Sequence, residues 1–232
     1  MPARLKPTAP LAADAILVGD PGRALMLAQE LLEQPKMSNH ARGLWGYTGR
    51  TAGGGGLTIQ STGMGGPSAS VVLADLAELG LRRAVRIGTC ASLGDLELGD
   101  LFVVTAAQPF RRSFVVSDTT KERRDSAADS AALPDVELTE ALRARLADGA
   151  HTGTVTSLDT LYRPERELPS VLVDAADMQT AGLLTSAAEH GVAAAAVLVV
   201  TEKSDSGRLQ DEDLEEAAKR AGRAVASLFS SP

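Results

Sequence analysis

The stretch Ala15-Ile16-Leu17-Val18-Gly19-Asp20-Pro21-Gly22-Arg23 decides how this chain folds. Four apolar residues read as a buried strand, Gly19 and Asp20 allow a bend, and Pro21 suits the first turn of a helix, where its missing N–H would have had no partner. A strand that turns directly into a helix is the unit of an α/β sheet, and Arg23 adds a fixed positive charge at the turn. Amides at a helix start and a guanidinium fork both favour an anion.

The same logic recurs twice. Leu57-Thr58-Ile59 runs into Ser61-Thr62-Gly63-Met64-Gly65-Gly66-Pro67-Ser68, and Ala84-Val85 runs into Arg86-Ile87-Gly88-Thr89-Cys90. Together the three strand ends predict one phosphate site assembled from separate loops, with Arg23 and Arg86 as cations and Thr89 as a hydroxyl donor.

Outward from these segments, short apolar runs at 15–18, 57–60, 84–88, 101–106, 152–156, 171–173 and 194–201 read as strands, alternating with helical patterns. Val72, Leu73, Leu76 and Leu79 fall at helical spacing between Pro67 and Gly80, which predicts a helix over 68–79. Amphipathic helices are expected over 137–146 and 211–229, the second opening on Asp211, Glu212 and Asp213 where negative charge complements the helix dipole. Gly53-Gly54-Gly55-Gly56, between Trp45–Gly49 and the 57–60 run, reads as a hairpin tip. Residues 109–134 read as a polar, charged excursion.

Composition narrows the function. The chain has 232 residues, 44% hydrophobic and only 3% aromatic, which suits one domain, residues 1–232, of closely packed helices on a sheet and offers few stacking platforms for nucleic acid. A net charge of -7 without a concentrated basic segment argues against a nucleic-acid partner. Cys90 is the single cysteine, so no internal disulfide forms and a reducing, cytoplasmic location is expected. No run approaches the roughly 20 apolar residues of a membrane helix. His40, His151 and His190 are isolated and lack paired ligand spacing, so no metal is expected.

In their order along the chain, Gly-Asp-Pro-Gly-Arg at 19–23, Ser-Thr-Gly-Met-Gly-Gly-Pro-Ser at 61–68, Arg-Ile-Gly-Thr-Cys at 86–90, Ser-Leu-Asp-Thr-Leu-Tyr at 157–162 and Asp-Met-Gln-Thr-Ala at 177–181 resemble the nucleoside phosphorylase superfamily, which includes hexameric purine nucleoside phosphorylases and uridine phosphorylases. The resemblance implies an α/β fold whose central mixed sheet is partly closed into a barrel and flanked by helices. It implies phosphate-dependent cleavage of a nucleoside to a free base and a pentose 1-phosphate, with inorganic phosphate as co-substrate and no other cofactor. Phosphate would be held by Gly19, Arg23, Arg86 and Thr89, with Arg42 donated across a dimer interface and homodimers assembling to a homohexamer. Thr62, Met64 and Met178 would line the sugar, Leu161 and Tyr162 the base, and Asp177 and Gln179 would complete the nucleoside pocket. Glu202, with Asp205 as the other candidate, would protonate the departing base, and Arg86 would position the nucleophile.

Three positions depart from the family pattern. Gln179 stands where a glutamate usually grips the sugar hydroxyls, Leu161 replaces the expected stacking phenylalanine, and Glu202 stands where purine enzymes commonly read Ser-Asp. The base class stays open: the 61–68 and 157–162 motifs are similar to those of uridine phosphorylases, whereas Glu165 and Glu167 replace the residues that would read uracil and a carboxylate at 202 suits a purine. Two other readings remain: a hydrolytic nucleosidase, against which Arg23, Arg86 and Thr89 argue because water needs no anion site, and a catalytically weak nucleoside-binding homologue.

Overall fold

The computed structural model describes residues 4–110, 131–146, 149–159, 173–203 and 206–229. Among these residues, ten strands form one mixed sheet. From one edge to the other they run β10 (Gly207–Arg208), β9 (Ala193–Lys203), β6 (Leu101–Pro109), β7 (Ala150–Ser157), β8 (Ala175–Asp177), β5 (Arg83–Ser92), β1 (Asp14–Val18), β4 (Gly56–Ser61), β3 (Gly46–Thr51) and β2 (Leu32–Asn39). β5 also pairs in parallel with β9, from Arg83 opposite Ala193 to Thr89 opposite Val199. That pairing closes β5, β9, β6, β7 and β8 into a five-stranded barrel and leaves β1 to β4 as an open extension. The partly closed mixed sheet expected from the motifs is therefore present.

Among the described residues, five helices cover the sheet. α1 (Pro21–Leu31), α3 (Val136–Leu146) and α5 (Asp211–Leu228) contribute to one apolar cluster, and α2 (Gly66–Glu78) and α4 (Thr180–Glu189) to the other. Strand alternation explains the division, since successive side chains leave opposite faces of a sheet. Ile16 and Val18 join Leu27, Ile59, Leu142 and Val225, while Ala15 and Leu17 join Leu73, Leu76, Phe102 and Leu184. β9 behaves likewise, sending Val197 and Val199 to the first cluster and Leu198 and Val200 to the second. A strand buried on both faces must be apolar throughout, as Ala194 to Val200 is.

The glycine-rich stretch is the expected hairpin tip: β3 and β4 pair antiparallel, and Thr51 N donates to Gly55 O at 2.8 Å. The helices predicted over 68–79, 137–146 and 211–229 are α2, α3 and α5 with slightly different ends. The strand read at 171–173 lies largely outside the described residues, and the strand found just beyond it is β8. Most of the 109–134 excursion lies outside them also.

α2 and α4 cross where two glycines meet. A Cβ built on Gly182 would lie 3.0 Å from Gly66 Cα and 3.2 Å from Gly66 O, both backbone atoms with no freedom to swing aside. Ser70 Oγ, 3.0 Å from Gly66 O and 2.9 Å from Gly182 O, ties the crossing together. Both helices open on the motif segments 61–68 and 177–181, so this contact fixes the relative position of those segments. Gly182→Ala is expected to lower stability by about 1–3 kcal/mol through overpacking, read as a shifted urea midpoint at unchanged slope.

Candidate active site

β1 and β4 end side by side, Val18 opposite Ser61, but Arg86–Cys90 is not the strand end expected from the sequence: β5 runs on to Ser92 because β9 pairs with it along its length, and Arg86 lies inside the strand opposite Leu17. Thr62, just past β4, donates its backbone N–H to Val18 O at 2.7 Å, binding the two strand ends together. Gly63 and Gly65, with φ of 73° and 84°, then turn the chain into α2. Gly19 packs beneath this turn, where a Cβ would come within 3.3 Å of Gly63 O.

The helix-start amides of α1 do not face an open site. Asp20 is the N-cap, and its carboxylate accepts from Gly22 N at 3.0 Å and Arg23 N at 3.2 Å. The group this turn leaves uncommitted is the Arg23 guanidinium, which makes no hydrogen bond or ion pair among the described residues. Burial pushes the Arg23 guanidinium below the usual arginine range, Asp20 opposes that shift, and the like charge of Arg86 adds to it. The guanidinium stays charged at any ordinary pH. Two cations sharing a poorly solvated corner are relieved by an anion.

Arg86 is buried at 4% exposure and held by three groups. Nε donates to Thr180 Oγ1 at 3.1 Å, Nη1 to Gln179 Oε1 at 2.6 Å and Nη2 to Asp177 Oδ2 at 3.1 Å. A guanidinium has five N–H donors, so two remain, one on each terminal nitrogen. Asp177 is itself oriented: Ser157 Oγ donates to Oδ1 at 2.5 Å, and Thr180 donates to Oδ2 through its hydroxyl at 2.6 Å and its backbone at 3.0 Å. The Gln179 amide donates from Nε2 to Gly63 O, completing a chain from β5 through β8 to the loop after β4.

Other expected residues stand around this network. Thr89 is half-buried on β5, opposite Val199, and its hydroxyl has no partner among the described residues. Met178 is half-buried between Asp177 and Gln179, whereas Met64 is 81% exposed at the loop surface. Glu202 lies past an irregularity in the β5–β9 register, opposite Ala91, and is exposed, its carboxylate without a hydrogen bond or ion pair among the described residues. Its neighbour Lys203 pairs with Glu97 at 2.6 Å. Arg42 is exposed in the 3-10 turn Ala41–Gly43, with a left-handed φ of 61°, and has no partner among the described residues. Leu161, Tyr162 and Asp205, with Glu165, Arg166 and Glu167, lie outside the described residues.

Ser157 and Thr180 were not singled out by sequence reasoning, although both belong to quoted motifs. Their signal was the hydroxyl itself, a small donor beside residues assigned to a site. Cys90 is a buried thiol: burial, then the charge of Asp177, push it up, Arg86 opposing, and Sγ lies 3.8 Å from Val199 O. It carries no nucleophile's environment. No group of His, Cys, Asp and Glu side chains able to hold a metal occurs among the described residues.

Gly88 sets where Arg86 lies. A Cβ there would come within 2.5 Å of Arg86 Nη2, 2.6 Å of Cζ and 2.9 Å of Leu198 Cδ2, so the guanidinium occupies space that any side chain would take. Gly88→Ala is expected to displace Arg86 from Asp177 and to abolish the rise in melting temperature that sulfate gives the parent protein; an undiminished rise would separate Arg86 from anion binding.

Comparison with known proteins agrees with this geometry. The phosphorylase superfamily, as a family, matches residues 14–231. A "Purine nucleoside phosphorylase DeoD-type" of Oceanobacillus iheyensis is 34% identical over 207 residues, 84% of each chain. One of the same description from Caldanaerobacter subterraneus subsp. tengcongensis is 31% identical over 206 residues, 85% of each chain. Among solved structures, purine nucleoside phosphorylase from Toxoplasma gondii in complex with immucillin-H superposes with a TM-score of 0.77 over 95% of this chain and 92% of that one, at 23% identity, a likeness of fold. With the family matched across nearly the whole sequence, the chain belongs to the phosphorylase superfamily.

Proposed function

We propose that the protein is a purine nucleoside phosphorylase, a pentosyltransferase that converts a purine nucleoside and inorganic phosphate to the free base and a pentose 1-phosphate. The observation that carries this reading is the Arg23–Arg86 pair, one guanidinium from the first turn of α1 and one from inside β5, two like charges with N–H donors to spare. Water as nucleophile would give such a pair no task. The purine assignment is supported by the descriptions of the relatives and by the carboxylate at Glu202.

In this reading Gly19, Arg23, Arg86 and Thr89 hold phosphate beneath the anomeric carbon. A phosphate oxygen forms the new C–O bond as the N-glycosidic bond breaks, and that bond's electron pair leaves on the base, which takes a proton. Positive charge developing on the sugar is stabilised by the phosphate dianion, so most of the catalysis is positioning and electrostatics. Glu202 or Asp205 supplies the proton. Thr62, Met64, Met178, Asp177 and Gln179 shape the sugar side of the pocket, and Leu161 and Tyr162 the base side. Residues 1–232 act as one cytoplasmic domain with phosphate as the sole co-substrate.

Arg42 extends this reading to assembly. It is exposed, held in a strained left-handed conformation and outside the Arg86 network, which suits a residue that serves the neighbouring subunit of a homodimer, itself assembled to a homohexamer. Light scattering is expected to give a dimer or larger species with Arg42→Ala assembling but nearly inactive; an active, monodisperse monomer would remove Arg42 from the site.

The reaction itself is tested by chromatography of free bases released from purine and pyrimidine ribo- and deoxyribonucleosides, with and without phosphate. Release is expected from purine nucleosides and only with phosphate, and Arg23→Ala should lower kcat/KM for phosphate about 10- to 100-fold, the scale of a lost charged hydrogen bond. Phosphate-independent release would instead identify a nucleosidase.

A further inference from the structure

Arg42 lies on a turn that two buried amides hold. Asn39, the last residue of β2, and Gln60, on β4, are 1% and 0% exposed. Asn39 Nδ2 donates to Leu44 O at 2.5 Å and to Ala41 O at 3.4 Å. Gln60 Nε2 donates to the same Leu44 O at 2.9 Å and to Trp45 O at 3.4 Å. Arg42 therefore sits between two carbonyls that Asn39 holds, one of which Gln60 holds as well. From these contacts we infer that Asn39 and Gln60 are positioning residues for Arg42: their amides clamp the 40–45 turn in the left-handed form that leaves the Arg42 guanidinium to an anion in the neighbouring subunit's site. The inference rests on the proposed role of Arg42 for the anion, and on the observed contacts for the clamp.

The physical case is one of strain and of donors. Arg42 and Gly43 take φ of 61° and 71°, and an arginine keeps such a backbone only where its surroundings enforce it. The turn's own backbone bonds, Leu44 N to Ala41 O at 3.1 Å and Gly43 N to His40 O at 3.3 Å, close it locally, and the two amides tie it to the sheet. Each amide has its orientation dictated by its neighbours. Asn39 Oδ1 accepts from Lys6 N at 2.9 Å, a group that can only donate, so Nδ2 must face the turn. Gln60 Nε2 meets carbonyls, the third being Ser61 O at 2.8 Å, while its Oε1 is buried without a partner among the described residues. A buried acceptor left unpaired is a cost, which marks Gln60 as placed for its donor end. Gly46, opposite both Asn39 and Gln60 in the ladders, makes the room, since a Cβ there would overlap Gln60 Oε1. The clamp also ties the turn to the loop after β4: Gln60 directly precedes the 61–68 motif, and Leu44 Cδ2 lies 3.4 Å from where a Cβ on Gly63 would stand.

Sulfate is a suitable probe because its charge is constant near neutral pH. In calorimetry at low ionic strength, Arg42→Ala is expected to weaken sulfate binding about 10- to 100-fold, the scale of a lost charged hydrogen bond. Asn39→Leu and Gln60→Met are neutral and close in volume to the residues they replace, so they change no charge near the anion. Each is expected to weaken sulfate by about threefold or more in the parent, yet to add less than about twofold to the loss when combined with Arg42→Ala. In turnover each should raise KM for phosphate and leave KM for the nucleoside little changed. Earlier melting with parental sulfate affinity would make the amides merely structural and overturn the inference. Losses that add in full to that of Arg42→Ala would also overturn it, by showing that the amides act on the anion through another route. Should Asn39→Leu fail to fold or fall to monomers, Gln60→Met decides by the same cycle. An Arg42→Ala protein that binds sulfate as the parent does overturns the proposed role of Arg42 and this inference with it. A weakened Arg42→Ala beside undiminished Asn39→Leu and Gln60→Met overturns this inference alone, and a parent that binds no sulfate overturns both.

Discussion

Burying the guanidinium of Arg86 is the constraint on which the rest of this site depends. An arginine out of water needs a compensating charge and partners for its N–H groups, and removal of one side of such a pair typically costs about 3–5 kcal/mol. Here Asp177 supplies the charge and Thr180 and Gln179 two more acceptors, all from the end of β8 and the turn that follows it. β8 is only three residues long, yet it pairs with β5 on one side and β7 on the other. The strand that closes the barrel is thus also the one that neutralises the cation. Fold and site are one structural problem, and Gly88 solves its last part by leaving room for the guanidinium.

Arg23 presents the opposite condition. Its charge is partly desolvated but uncommitted, and Asp20, the nearest carboxylate, is occupied with capping α1. A capped helix with a free arginine in its first turn differs from a helix that binds an anion on its amides: the protein keeps the helix stable without ligand and leaves recognition to a side chain that can adjust. In the proposed anion site, Arg86, fixed on three sides, gives direction, and Arg23 gives charge.

How much of this was legible in the sequence follows from the range of each interaction. The turn after β1, the β3–β4 hairpin and α2 are written in adjacent residues, and so were readable from Gly19–Arg23, Gly53–Gly56 and Pro67–Gly80. β2 was not: Glu33, Gln34, Pro35 and Lys36 break any strand pattern, as suits an edge strand that must avoid pairing with other chains. β8 was too short to show a period. The Arg86 network joins residues more than 90 positions apart, and a sequence shows the acceptors but not which of them turn inward. Asp20 illustrates the reverse error, since a local reading gave the helix amides to a ligand that a neighbouring side chain replaces.

Position 179 is where the resemblance and the geometry give different reasons for one residue. As a member of a series of sugar-binding positions, glutamine reads as a weakened acceptor. Within this network it is the better choice of the two, because only an amide can accept from Arg86 and donate to Gly63 O at once. A buried bridge between a donor and an acceptor selects a group with both capacities, whatever else lies nearby. The substitution therefore has an explanation inside the free protein, from the hydrogen-bonding inventory of one side chain, before any substrate is considered.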